Sequence, residues 1–322
     1  LRGPGMTTVT LDAASTSAHG VVVANATDVV LADMTIAGAP AHNVDVGGAQ
    51  RVTLFALALR DAARALVRGH HSDDVTVQHC ELYFTGDGVP GTCQTNAVTV
   101  VGSARWVITD NHIHDFYCAE PTRVPGPAVL VWEQSADTVV ARNFLRRVAR
   151  GIALGLVGTA GDHVNGVVRN NVIVLDAAQP FATDTMIAIA SPRAAVLHNT
   201  VVSRANFNPY TDSSGFAVEV RFATTVDVLV RGNLVDDRLW RRENAQFTTQ
   251  FNSFNIGDAL ADTWLVDVDS GNASLIQAGL LPVIPRAARA LYDYYGNART
   301  AQTVAGAVHP VQFFGRAAAP PL

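Results

Sequence analysis

There is no lysine in this 322-residue chain; all 23 basic residues are arginine. A mechanism that depends on a lysine base or a lysine Schiff base is therefore excluded. Charge of either sign is scarce, at 16% of residues, and the net charge is −5 with no basic run. A nucleic-acid partner would need a clustered positive stripe, so that class is set aside as well. No apolar stretch reaches the length of a transmembrane span. Helix-length amphipathic segments between strands are also missing, which excludes a doubly wound sheet or a barrel of alternating strands and helices. The chain lacks an initiating Met and an N-terminal signal peptide. Its opening Leu1-Arg2-Gly3-Pro4-Gly5 already reads as mid-repeat. A processed or truncated product is the expectation, with an export signal and a solenoid cap upstream.

What the chain has in quantity is valine in alternating runs, within a composition that is 48% hydrophobic. A short apolar strand, a turn, a second apolar strand, a hinge residue and a further apolar pair recur along it. The unit is read in Gly20-Val21-Val22-Val23 followed by Val29-Val30-Leu31-Ala32-Asp33-Met34-Thr35-Ile36. It returns in Ala97-Val98-Thr99-Val100 with Asn111 and in Ala128-Val129-Leu130-Val131 with Asn143. The hinge series is Met34, Leu57, Cys80, Asn111, Asn143, Asn171, Asn199 and Asn233, at spacings of 23, 23, 31, 32, 28, 28 and 34 residues. Such a period, with alternation inside each unit, predicts a solenoid of parallel strands.

Period-two alternation assigns directions. Val21 and Val23, Val44 and Val46, Val98 and Val100, Val129 and Val131, Ile152 and Leu154, Ile187 and Ile189, and Val218 and Val220 point inward. Asn111, Asn143, Asn171, Asn199 and Asn233 are predicted to form a buried ladder, each amide bonding turn backbone and the amide of the next rung. Met34, Leu57 and Cys80 at the same position imply that the ladder starts after them. Cys93 and Cys118 fall in inserted loops of consecutive repeats, within reach of a disulfide, which would fit an oxidising compartment.

Ala128-Val129-Leu130-Val131-Trp132, Asp137-Thr138-Val139-Val140-Ala141-Arg142-Asn143 and Arg150-Gly151-Ile152-Ala153-Leu154-Gly155 resemble segments of right-handed parallel β-helix proteins of the pectate-lyase-like superfamily. Those relatives include bacterial exported proteins of mostly unassigned function. Asp293-Tyr294-Tyr295-Gly296-Asn297-Ala298-Arg299 is similar to a C-terminal element of the same proteins. The resemblance implies an all-β, right-handed parallel β-helix of about eight to ten rungs over residues 1–255. Residues 256–322 would supply last strands, a short helix and loop near Leu280–Leu291 that covers the solenoid end, and a loose Pro/Ala-rich tail. It also implies an extracellular or cell-surface location and a site on the outward face of the first strand of each rung.

The longest insertions, Thr85–Thr95, Phe116–Pro127, Asp176–Thr185 and Ser203–Gly215, fall at the corner beside that face. Outward positions there are Asp45, Arg68, Thr99, Leu130, Ala153, Ala188 and Glu219, then His70, Val101, Trp132, Gly155, Ala190 and Arg221. Catalytic candidates are Arg68, His70, Glu219, Arg221 and Tyr210; substrate-binding candidates are Trp132, Arg123, Asp45 and Glu133. Uronate β-elimination would use an arginine to neutralise the sugar carboxylate and His70 or Tyr210 as base. The small apolar middle of the face reads either as a sugar platform against Trp132 or as plain packing. Asp73-Asp74 is the adjacent carboxylate pair that hydrolysis would need, but reads as solvated turn residues. His112 and His114 share one strand side, a spacing that suits a metal, yet show no third ligand. No metal or cofactor is therefore expected, with calcium left open but without a clear site. The expected function is an exported carbohydrate-binding or carbohydrate-modifying protein, a lyase or epimerase on uronate polysaccharide in its concrete form. The alternative is a non-catalytic sheath or adhesion scaffold that self-associates.

Overall fold

The computed structural model describes residues 1–13, 17–86, 89, 93–120, 123, 125–175, 183–203, 216–235, 238–253, 262–277 and 279–309. Nine parallel strands, from His19–Ala24 to Leu239–Arg241, make the first sheet. A sixteen-stranded sheet holds the second and third strands of the rungs in two limbs. The limbs join at Gln50–Arg60, which, like Thr27–Ala37, runs unbroken through the hinge. Each strand pairs in parallel with its counterpart one rung away, and the chain is a parallel β-helix.

Register follows the alternation read from the sequence. Val21, Val44, Val67, Val98, Val129, Ile152, Ile187, Val218 and Leu239 stand in one column across the first sheet. Their inward side chains belong to a continuous apolar core that runs from Ala13 to Ala245. Gly69 interrupts the neighbouring column because the fully buried Trp106 occupies the space; a Cβ there would lie 2.1 Å from its ring.

The hinge shows why asparagine recurs. Asp110, Arg142, Asn170, His198 and Gly232, each just before a ladder residue, have φ between 52° and 68°. This left-handed step turns the next side chain into the core. Asn143 illustrates the bonding: its Oδ1 accepts from the Asn111 backbone N–H at 3.1 Å and from Asn111 Nδ2 at 2.9 Å. Its own Nδ2 donates to Ile108 O at 2.9 Å and to Asn171 Oδ1 at 3.0 Å. The pattern continues through Asn171, Asn199 and Asn233 and extends to Asn252, which the spacing series does not include. At the upstream end Asn111 Oδ1 takes the Cys80 N–H at 2.9 Å. Cys80 itself is buried, and burial pushes its thiol pKa up to about 12.

Cys93 and Cys118 are bonded, with Cα atoms 5.6 Å apart, and tie two inserted loops together. The C-terminal part holds antiparallel pairs, Leu265–Asp267 with Asn272–Leu275 and Ile284–Pro285 with Gln302–Thr303. Its described residues lie along the flank of the solenoid: Leu265, Leu275, Ile284, Tyr294 and Ala307 pack on Phe144, Val172, Val174, Val202 and Leu234. Those outward residues of the third strands are apolar and need cover. A helix is also absent from Leu280–Leu291, where Pro285 lies in the short strand Ile284–Pro285; the ring removes a helical donor. Buried Arg299 fastens the segment, with Nη2 donating to Asn170 Oδ1 at 3.1 Å and Ala307 O at 2.7 Å. Asp293 organises its turn by accepting the N–H groups of Tyr295, Asn297 and His309.

Asn171→Ala takes the Oδ1 acceptor away from both the backbone N–H and the side-chain Nδ2 of Asn143 in the core. At about 1–3 kcal/mol per stranded group, urea denaturation is expected to show a loss of about 2–6 kcal/mol.

Two buried histidines add a pH dependence. His163 lies between Ser191 Oγ at 2.8 Å and Thr138 Oγ1 at 3.1 Å, and burial pushes its pKa down to about 4. Burial first, and Arg299 second, push His198 down to about 3. The unfolded chain binds these protons near pH 6.5 and the folded chain does not, so stability is complete above that pH and falls as the solution is acidified toward pH 4. The loss is on the order of 3 kcal/mol per histidine. Urea midpoints at pH 7 and pH 4.5 should differ accordingly, and His163→Gln should flatten the slope.

Candidate functional site

The outward column of the first sheet is Val22, Asp45, Arg68, Thr99, Leu130, Ala153, Ala188, Glu219 and Trp240. Arg68 and Glu219 are thus five rungs apart, roughly 24 Å at about 4.8 Å per rung. The catalytic candidates do not converge on one centre. They form two clusters on one face.

In the early cluster Asp45 Oδ1 lies 3.7 Å from Arg68 Nη1 and 3.6 Å from His70 Nε2, and it is buried without a hydrogen-bond partner. His42 lies alongside, stacked on His19 with ring centroids 5.3 Å apart. Burial drives the His42 pKa down to about 4, with Asp45 opposing.

The middle of the face is packing. Leu130, Ala153 and Ala188 are at most 5% exposed and cluster with Trp132 and Leu156. Trp132 lies on this patch with its Nε1 buried and unpartnered, which leaves no open platform beneath it. Glu133, in the following turn, lines a separate hollow of about 580 Å³ with His71, Gly102, Val157 and Asp162. Arg123 is an exposed residue facing Glu120 at 3.7 Å. Tyr210 lies outside the described residues. Asp73 and Asp74 both pair with Arg105, at 3.1 and 2.6 Å, in a solvated turn.

The late cluster is the more elaborate. Glu219 is 2% exposed and accepts from Thr185 Oγ1 at 2.9 Å, Arg221 Nε at 2.5 Å and Arg242 Nη1 at 3.4 Å. Asp184, on the neighbouring rung, holds Arg150 Nε at 3.0 Å and lies 3.9 Å from Arg221 Nη2. Burial pushes the Arg150 pKa below its ordinary value, with Asp184 opposing. Phe216 and Trp240 meet edge to face, with centroids 4.0 Å apart. Asp184, Phe216, Glu219, Trp240 and Arg242 line a cavity of about 240 Å³. A second hollow of about 300 Å³ adjoins it, between Phe216, Arg238, Trp240 and Arg241.

Chemically, this is a set of guanidinium groups fixed by buried carboxylates beside an aromatic pair. The carboxylates are already committed to arginine, so they do not form a calcium cage. Among the described residues the group that could hold a metal is on another face, at Glu81, His112 and His114. Glu219 and Arg221, two of the candidates named from the sequence, lie in this cluster; Arg150, Asp184, Phe216, Trp240 and Arg242 join them there and were not among those candidates. A usable signal existed: Leu239-Trp240-Arg241-Arg242 repeats the pattern of Val218-Glu219-Val220-Arg221 one rung later.

No protein-family model and no characterised protein matches the sequence. Solved structures are similar. A glycoside hydrolase shares 16% identity over 77% of this chain and 40% of its own, at a TM-score of 0.43. A DFA-IIIase variant from Arthrobacter chlorophenolicus shares 17% over 68% of this chain and 53% of its own, at 0.47. A pectate lyase shares 12% over 87% of this chain and 73% of its own, at 0.46. The chain thus spans about half the length of the first two, and at these identities the likeness is one of fold.

Glu219→Ala would leave Arg221, only 6% exposed, as a buried charge without its main partner. Chemical denaturation is expected to register a loss of about 3–5 kcal/mol. A change below about 1 kcal/mol would show a solvated ion pair instead.

Proposed function

We propose that the chain binds an acidic, uronate-containing polysaccharide on the outer face of its first sheet and cleaves it by β-elimination at the Glu219 end. The observation that carries this reading is the arrangement of Arg150, Arg221 and Arg242 around Asp184 and Glu219, beside the Phe216–Trp240 pair. Held guanidinium groups match the planar carboxylate of a uronate, and aromatic rings offer apolar contact to a sugar ring.

Elimination begins with loss of the proton beside the carboxylate, and negative charge then develops on the carboxylate oxygens. Arginines preset by Glu219 stabilise that charge without reorganising. A base must take that proton and an acid must protonate the leaving oxygen. Asp184, about one-third exposed, faces the cavity, and Tyr210 is the further candidate. The Cys93–Cys118 disulfide supports export to an oxidising compartment. None of the described helices is long and apolar enough to cross a membrane.

A second reading, hydrolysis by Asp184 and Glu219, is favoured by their shared contact with Arg221 Nη2, at 3.9 and 2.5 Å. Against it, Glu219 is buried and already accepts from Thr185, Arg221 and Arg242, which leaves it poorly placed as a nucleophile.

Incubation with alginate, pectate and glycosaminoglycans tests the proposal. The expected product is an unsaturated uronate, seen by its ultraviolet absorbance, and Arg242→Ala should lower kcat/KM by about a hundredfold. New reducing ends without that absorbance would move the chemistry to hydrolysis. Binding without any product would assign the face to a carbohydrate-binding scaffold, and neither binding nor product would remove the polysaccharide reading altogether.

A further inference from the structure

We infer that the chain has a binding site for one first-row divalent transition metal ion, of which Zn²⁺ is the probe of choice, formed by Glu81, His112 and His114. The site is independent of the function proposed for the first sheet. It lies on the outer side of the third strands, on the neighbouring strands Glu81–Tyr83 and His112–Phe116.

Register explains the assembly. His112 pairs with Glu81 and His114 with Tyr83, so alternation brings both imidazoles and the carboxylate to one side of the sheet. One ligand atom from each of the three lies within 4.8 Å of the others. His114 Nε2 and Glu81 Oε1 are 3.3 Å apart. Tetrahedral coordination with bonds near 2.1 Å needs ligand atoms roughly 3.4 Å apart, so one pair already has the spacing and His112 must approach by a small side-chain rotation.

Three further observations point to a ligand. His112 Nε2 is buried and has no hydrogen-bond partner. His114 Nδ1 is held by Asp115 Oδ2 at 2.6 Å, the carboxylate–histidine arrangement that orients a metal-binding imidazole and leaves Nε2 facing the ion. Asp115 is fixed in turn by Arg147 Nε at 2.6 Å. The rings are also held by stacking, His112 on Phe144 and His114 on Tyr83, each with centroids 5.0 Å apart.

Two imidazoles and one carboxylate suit a borderline ion of the zinc type better than Ca²⁺ or Mg²⁺. The metal would replace the proton shared by His114 Nε2 and Glu81 Oε1. Arg146 stands beside His114 on the next rung and opposes the added charge, while Glu81 and Asp115 offset it. Three protein ligands leave one coordination position open to solvent.

The test is titration of the metal-free chain with ZnCl₂ by calorimetry, together with Co²⁺ substitution read by visible absorption. One Zn²⁺ per chain at micromolar affinity or better, and a Co²⁺ spectrum of low coordination number, are expected. Glu81→Gln and His112→Ala should each weaken binding at least tenfold. Asp115→Asn should weaken it by about tenfold or more while keeping the stoichiometry. Urea midpoints measured in chelator, equal to that of the parent chain, separate loss of the site from loss of the fold. Affinity no better than millimolar, or affinity unchanged in the His112→Ala/His114→Ala double variant, would overturn the inference.

Discussion

The interaction on which the rest depends is the buried amide column from Asn111 to Asn252. Each interior asparagine uses both amide hydrogens and accepts twice at Oδ1, so turn groups that face an apolar core find partners. Slipping one rung by a residue would strand several such groups together, and their desolvation would outweigh any apolar gain. The column therefore locks the register of every strand attached to it. Chain length between rungs is free, because insertions lie outside the columns and loop closure costs grow only slowly with length.

That locking turns distance in sequence into adjacency in space. Arg150, Thr185, Glu219 and Arg242 come from four consecutive rungs, yet act as one ion network around Glu219. A flexible surface could hold such charges together only at a large cost in side-chain entropy. Here the backbone is already fixed, and the planar forks of arginine allow one carboxylate to satisfy several partners. The absence of lysine from the chain is compatible with this chemistry and gives it a strong geometric bias.

Much of the architecture was legible because it is written as local alternation. Val98 and Val100, or Ile187 and Ile189, declare their inward direction within three residues, and the asparagines mark the hinge. Asn252 escaped because only 19 residues separate it from Asn233, shorter than the other spacings. The flanking course of the C-terminal segment was hidden too. It depends on Phe144, Val172 and Val174 being apolar on their outer side, which a single strand does not distinguish from ordinary packing. The site was legible in proportion to how little register it needed. Glu219 and Arg221 lie two residues apart and were named from the alternation alone. Asp184, Trp240 and Arg242 become neighbours only once unequal loops have been subtracted. Glu81 is the same case, since it meets His112 across 31 residues of chain.

Which surface is left for chemistry is decided by what covers the other two. The outer side of the third strands is closed from Phe144 onward by the C-terminal segment, whose Gly271 approaches the Phe144 ring too closely for a Cβ to enter freely. The turn before each second strand carries solvated pairs such as Arg51 with Asp28 and Arg105 with Asp74. Exposed pairs of that kind contribute little energy and leave few free groups. On the first sheet the outward residues Leu130, Ala153 and Ala188 are packed, and its two polar clusters stand where that floor stops. Among the described residues, Glu81, His112 and His114 at the start of the third-strand face are a further place where converging polar atoms are not saturated.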